Sequence, residues 1–253
     1  MMLAQFRMPA LAVTIGVAAV VAPVLSLVAP AQAAAAGHGG SALASAHAGK
    51  VSVTNSDHFA GYEATVTAGS ATTSAAQFKI PALSCTSAFR AITPVAGVET
   101  NNFTSYSSAF LFVGCQNGKA LYFPALVVNG TETNYSTTNL AAGDVVKVST
   151  KVTTGTTVQV TDVTKGITKK LTGPAASPSA AYIADSGWHN NGTLLGVPKF
   201  GTLTFTHCTV DGKTLASAHP TKVQRVTSSN VIQITTGALS PAGTTFATHF
   251  KHA

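Results

Sequence analysis

Charge is what this chain has least of. Only 9% of its 253 residues are Asp, Glu, Lys or Arg, against about a quarter in ordinary soluble proteins. Just three are glutamates, Glu63, Glu99 and Glu132. So few charges argue against solvent-facing helices held by ion pairs. The formal net charge is +7, but the basic residues are scattered and Lys169-Lys170 is the only doublet. No aromatic residues interleave with it, which excludes a nucleic-acid-binding face. There is one tryptophan, Trp188, and no Gly-x-Ser-x-Gly string to carry a nucleophilic serine. His249-x-x-His252 has helical spacing but no helical pattern around it, so neither a metal nor any other cofactor is expected. After the first thirty residues no long apolar run recurs, which excludes a second membrane span.

What is present begins with Arg7, an apolar run from Met8 to Pro30, and Ala31-Gln32-Ala33. A positive residue, an apolar stretch and a small-x-small site are the form of a secretory signal. Residues 1–33 are therefore expected to be a signal peptide, leaving no stable membrane span after cleavage. The expected location is secreted, extracellular or associated with the cell envelope. Residues 34–54, mostly Ala, Gly, Ser and His, read as a flexible lead-in.

From residue 55 the strand signal is persistent. Val146, Val148 and Val152 alternate with Lys147, Ser149 and Lys151, and Val158 and Val160 alternate with Gln159 and Thr161. Thr153-Thr154-Gly155-Thr156 turns the chain between them. Gly201 to His207 alternates as strictly, with Leu203 and Phe205 inward. Ten or so short strands, and no amphipathic helix beyond two turns, predict an all-β antiparallel two-sheet sandwich of jelly-roll type over residues 55–239. Residues 240–253 read as a loose C-terminal tail.

Cys85, Cys115 and Cys208 are the cysteines. In an exported chain an early pair is expected as a disulfide rather than a metal site. A Cys85–Cys115 bridge would close a loop of about thirty residues and stabilise by roughly 3–4 kcal/mol. Cys208 is then a buried thiol or a competitor for one of the other two.

Several strings, in order, resemble the glutamic peptidases (eqolisins), secreted β-sandwich proteins similar in shape to the concanavalin-like lectins. His58-Phe59-Ala60-Gly61-Tyr62 resembles the family's Asn-Trp-(Ala/Gly)-Gly-Tyr, and Gln77 to Pro81 followed by Cys85 resembles its Phe-x-Val-Pro segment and cysteine. Val95-Ala96-Gly97-Val98-Glu99 stands where the family has Trp-Val-Gly-Ile-Asp. Gly114 to Gly118 matches the second cysteine and its turn, Gly143-Asp144 precedes a Val-rich strand, and Phe200 to Thr206 is similar to Phe-Gly-Thr-Val-x-Phe-Thr. The likeness covers residues 55–212.

The resemblance implies a catalytic glutamate as general base and acid, and a glutamine that orients water and stabilises the oxyanion. Neither side chain is found. Aligning the strand before the second cysteine puts Ser108 at the glutamine position, or Phe112 in a looser alignment. No Gln occurs between Thr86 and Cys115. The family's Ala-Glu-x-Ile becomes Ala180-Ala181-Tyr182-Ile183, with Ala181 at the glutamate, and its Trp-x-Glu strand becomes Ala125-Leu126-Val127. No catalytic residue is therefore assigned. The expected groove comprises Glu99, Phe112, Val127, Asp185 and Trp188, with Glu99 and Asp185 the best remaining carboxylate pair.

Three functions are open on this reading. The first is a secreted, monomeric pseudoenzyme that binds a peptide or glycan in its sheet groove. The second is an acid endopeptidase using Glu99 or Asp185 as substitute base, and the third is a structural envelope protein.

Overall fold

The structure, a computed structural model, describes residues 53–70, 72–100, 105–190 and 193–253. The expected signal peptide and nearly all of the lead-in lie outside the described residues. Val53 and Thr54, the end of that lead-in, already belong to a strand.

The described chain forms β1 Val53–Ser56, β2 Phe59–Thr65, β3 Thr72–Lys79, β4 Arg90–Thr100, β5 Ser105–Gln116 and β6 Lys119–Val128. Then come β7 Thr131–Asn134, β8 Val145–Val152, β9 Gly155–Asp162, β10 Ile167–Pro174 and β11 Ala180–Gly187. The remainder is β12 His189–Asn190, β13 Thr193–Leu194, β14 Thr202–Val210, β15 Lys213–Thr214, β16 Thr221–Val226, β17 Ile232–Thr236 and β18 Phe246–Phe250. A single 3-10 turn, Leu215–Ala218, interrupts them.

Hydrogen bonding runs continuously in the order β10-β9-β8-β3-β14-β18-β17-β16-β2-β11-β4-β5-β6-β7. These neighbours are antiparallel; only β1 adds in parallel, on β16. The ribbon folds over so that its two halves face each other. Ser74 Oγ on β3 donates to the Tyr182 carbonyl on β11 at 3.0 Å, and Thr150 Oγ1 on β8 donates to the Ala96 carbonyl on β4 at 2.8 Å. The antiparallel sandwich is thus one sheet wrapped into two layers.

Period-two alternation explains the filling. Val146, Val148 and Val152 of β8, Val158 and Val160 of β9 and Ala76 and Phe78 of β3 meet Val98, Leu111, Leu126 and Ile183 from the opposite layer. Each such aliphatic or aromatic side chain, taken wholly out of water, contributes about 1.5–3 kcal/mol. Inward Ser74 and Thr150 are polar, and their cross-layer bonds remove the cost of burying a hydroxyl. Cys85 and Cys115 form a disulfide, and Cys208 is a buried free thiol.

The C-terminal tail is not loose. Phe246-Ala247-Thr248-His249-Phe250 alternates as a strand, and β18 inserts between β14 and β17 in the bend joining the two layers. Phe246 is 2% exposed, stacked on Phe205 at 4.8 Å and edge-on to Tyr62 at 4.9 Å. Five residues are a short signal, and Gly-Thr-Thr before them reads as turn. The pairing partners, remote in sequence, decide the matter. We expect Phe246→Ala to cost about 3–5 kcal/mol in denaturant unfolding, and a chain ending at Ser240 not to fold. A cooperative transition in the shortened chain would show the strand to be dispensable.

Candidate functional site

Strands β2, β11, β4, β5 and β6 are buried on both faces. The face turned away from the other layer carries its own apolar cluster, Phe59, Val95, Phe110, Ala125, Val127, Tyr182, Ala184 and Val223, with Tyr106 and Trp188 against it. Directly opposed residues of antiparallel strands share a face, so the registers lay this surface out as rows. One row reads Glu63, Tyr182, Gly97, Ser108, Val127, Glu132, from β2 to β7. The adjacent row contains Ala180, Glu99 and Tyr106. All three glutamates of the chain therefore fall in two neighbouring rows of one face.

The centre of the first row is a hydrogen-bonded pair. Ser108 bonds the Tyr182 phenol, and both residues are almost wholly buried. Gly97 makes this possible. A Cβ there would come within 2.5 Å of the Tyr182 ring and hydroxyl and 2.9 Å of the Ser108 Cβ. The missing methyl is the slot in which the ring lies. Tyr182 also stacks on Phe59 at a centroid distance of 6.0 Å. Further along, Trp188 is edge-on to Phe112 at 5.2 Å and to Phe110 at 5.8 Å, and Phe112 stacks on Phe123 at 4.5 Å.

Burial sets the protonation of this face. It pushes the Glu99 carboxyl up to about 8, with the negative charge of Glu63 adding to the effect. Glu63 itself is raised by burial. Glu132 is raised by desolvation, against the pull of a 2.7 Å hydrogen bond from Asn134. The Tyr182 phenol is driven upward chiefly by burial, with Tyr106 contributing, while the Ser108 bond opposes. Glu99 is 5% exposed, and its Oε2 has no hydrogen-bond partner among the described residues. In acid the surface is a neutral array of carboxylic acids, phenols and a hydroxyl over apolar walls.

Glu99, Phe112, Val127 and Trp188 occupy this face, as does Ser108. Ala181 and Asp185 do not. Ala181 pairs with Val98 and lies in the core between the layers. The residue of β11 that meets Ser108 is Tyr182, one position on; a slip of one residue moves a strand side chain to the opposite face. Asp185 shares the inward face of Ala60. It is wholly buried and accepts a 2.7 Å bond from Thr248 Oγ1. Burial raises it to about 7, against the Thr248 bond and the charge of Arg225. Glu99 and Asp185 are thus separated by the sheet and cannot act as a pair. The carboxylate whose charge reaches Glu99 is Glu63. Counting twos from Gly61 was the available signal for Glu63; Tyr182 meets Gly97 only through the pairing of β11 with β4, which no local string contains. No group of three metal-capable side chains comes together among the described residues.

Comparison with known proteins places this arrangement. The sequence profile of the peptidase A4 family matches residues 57–247. The chain belongs to that family. Among curated proteins none matches its sequence. The A4-family fold is shared with scytalido-glutamic peptidase, solved with a transition state analog inhibitor, at 16% identity and a TM-score of 0.65 over 77% of this chain and 98% of that one. It is similar to SCP-B, an eqolisin solved with the tripeptide Ala-Ile-His, at 18% identity, a TM-score of 0.61 and the same coverage. Aspergilloglutamic peptidase from Aspergillus niger is similar at 17% identity and a TM-score of 0.54, over 64% of this chain and 99% of that one. At such identities the likeness speaks for the fold alone. Side chains of the A4-family chain must be read from its own site.

The unfolded chain ionises Glu99 near 4.5, whereas the folded one holds its proton to about pH 8. Its contribution to stability is full below about pH 4.5 and is lost as the pH rises to 8. Glu99→Gln should therefore unfold with nearly the wild-type midpoint at pH 4 and be more stable than wild type at pH 8, by at least about 5 °C in Tm. Thermal melts at both pH values check this. An equal effect of the substitution at the two would sink the buried neutral acid.

Proposed function

We propose that this chain is a secreted, non-catalytic, monomeric peptide-binding protein built on the glutamic-peptidase sandwich. The observation that carries the reading is the Tyr182–Ser108 bond across Gly97. A phenol and a hydroxyl occupy the middle of the row, and neither is the carboxylate or the amide that the resemblance to the glutamic peptidases implies. A buried phenol gives up no proton in acid, and a serine hydroxyl lacks the paired NH₂ and C=O that orient a water and an oxyanion. Glu99 does not substitute. A general base must be ionised at working pH, and this one is a protonated acid throughout the acid range.

Binding survives these losses. Trp188, Phe110, Phe112 and Val127 supply apolar contact. The neutral Glu99 and the phenols supply hydrogen-bond partners for backbone amides. Relatives with a transition state analog and a tripeptide bound make a peptide the favoured ligand over a glycan. Export rests on the signal-like first 33 residues, supported by the Cys85–Cys115 disulfide. No helix of the described residues is long and apolar enough to cross a membrane.

One observation favours a second reading. Glu63 and Glu99 are two raised carboxyls on one face, a pattern frequent in active sites. The purified chain without residues 1–33 separates the two when incubated with unfolded casein from about pH 2 to 5. We expect no sustained cleavage, and a change in the emission of Trp188, the sole tryptophan, as peptide is added. Cleavage abolished by Glu63→Gln or Glu99→Gln would establish an acid peptidase with a displaced pair. Retention by glycan rather than peptide arrays would correct the ligand.

A further inference from the structure

The layer opposite the candidate groove has an outer face with a different chemistry. Its rows are Gln77, Lys147, Thr161, Thr168; then Ala75, Ser149, Gln159, Lys170; then Thr73, Lys151, Thr157, Thr172, each running across β3, β8, β9 and β10. Lys79 stands at the end of β3 on the same face, next in the alternation after Gln77. Lys79, Lys147, Lys151 and Lys170 are exposed, and no row contains a carboxylate. Asp162 points inward and, with Asp144, takes Lys165 at the rim; Asp211 is held at the β14–β15 turn by the Thr73 backbone N–H at 2.7 Å. The hydroxyls and amides between the lysines are already aligned, with Gln159 Nε2 donating to Thr161 Oγ1 at 3.0 Å and Thr161 and Thr168 sharing a bond of 3.1 Å.

The face also contains a hollow. Between Thr206 and Thr209 the pairing of β14 with β3 shifts register, and His207 adopts a left-handed φ of 52°. A bulge of this kind re-aims the side chain beside it. Ala75 leaves room, and a cavity of about 270 Å³ opens, lined by Ala75, Ala76, Gln77, Lys147, His207 and Thr209. A cation, an amide, an imidazole and a hydroxyl converge on it.

We infer that this face is a docking site for a linear anionic polysaccharide, one unit seated in the bulge hollow and the chain running over Lys151 and Lys170. Charge complementarity selects a polyanion. Lys147 and Lys151, four residues apart on one strand, stand about 13 Å from each other, a spacing that a run of acid groups can span and a single small anion cannot. The surrounding surface selects a glycan. Threonine, serine and glutamine side chains match sugar hydroxyls, whereas the rows carry no aromatic residue on which bases could stack and no large apolar side chain to enter a lipid layer. This inference is independent of what the groove on the other layer binds.

The test is elution of the full-length processed protein from immobilised polygalacturonate in a salt gradient. Four proteins are compared: wild type, His207→Ala, Lys147→Ser/Lys151→Ser/Lys170→Ser, and Lys119→Ser/Lys199→Ser/Lys251→Ser, the last of which loses the same charge from exposed sites outside these rows. The first triple variant is expected to elute at less than half the wild-type salt, with the slope of log affinity against log salt reduced by about 2–3. The second should elute close to wild type. His207→Ala should weaken retention at unchanged lysine content. Equal shifts in the two triple variants would reduce the effect to net charge and overturn the site. Retention on anionic vesicles or DNA to the same salt as on the polyuronate would overturn the glycan assignment. Circular dichroism of each variant confirms that only folded protein is compared.

Discussion

Everything on the groove face depends on β4 giving up a side chain at Gly97. A strand flanked on both sides and covered on both faces has no free volume. A large residue on its neighbour can lie flat only if something beneath it is absent. With hydrogen in place of methyl at Gly97, the Tyr182 ring crosses β4 and reaches Ser108. Three strands are thereby tied through side chains as well as through their ladders. The same tight covering withholds water from Glu99 and keeps it neutral. Packing and protonation are two results of one steric fact.

The second layer follows a different economy. Its inner face is mostly valine, with Phe78, Ser74 and Thr150 among them, while its outer face is assembled from threonine, serine, glutamine and lysine. Because the chain has so few charges, their distribution carries information. Glutamates gather over one layer, and four exposed lysines, Lys79, Lys147, Lys151 and Lys170, stand together on the outer side of the other.

Much of the architecture was legible in the sequence, because alternation in a half-wet strand is written directly in residue order. Val145–Val152 and the strand from Thr202 onward were readable for that reason. Strands buried on both faces lose this contrast. In Ala180–Asp185 every residue is covered, so hydropathy could not say which side chains point to the groove. String matching puts Ala181 at the family's glutamate position, yet it faces the core between the layers, and Asp185, expected in the groove, faces inward as well. Position relative to Gly97 and Gly61, fixed by registers between remote strands, carried the missing information. The last strand was hidden in a related way. Phe246 and Phe250 are a weak local signal, and their role comes from a gap between β14 and β17 that no local window contains.

That gap sets the order of events in folding. Strands β14 and β17 each keep one unpaired edge until residues 246–250 arrive. A growing chain can zip its hairpins early, but the bend joining the two layers closes only once these five residues pair on both sides. Until then the open edges can recruit other strands. Any factor that shields these β-edges during that interval would govern the yield of folded protein.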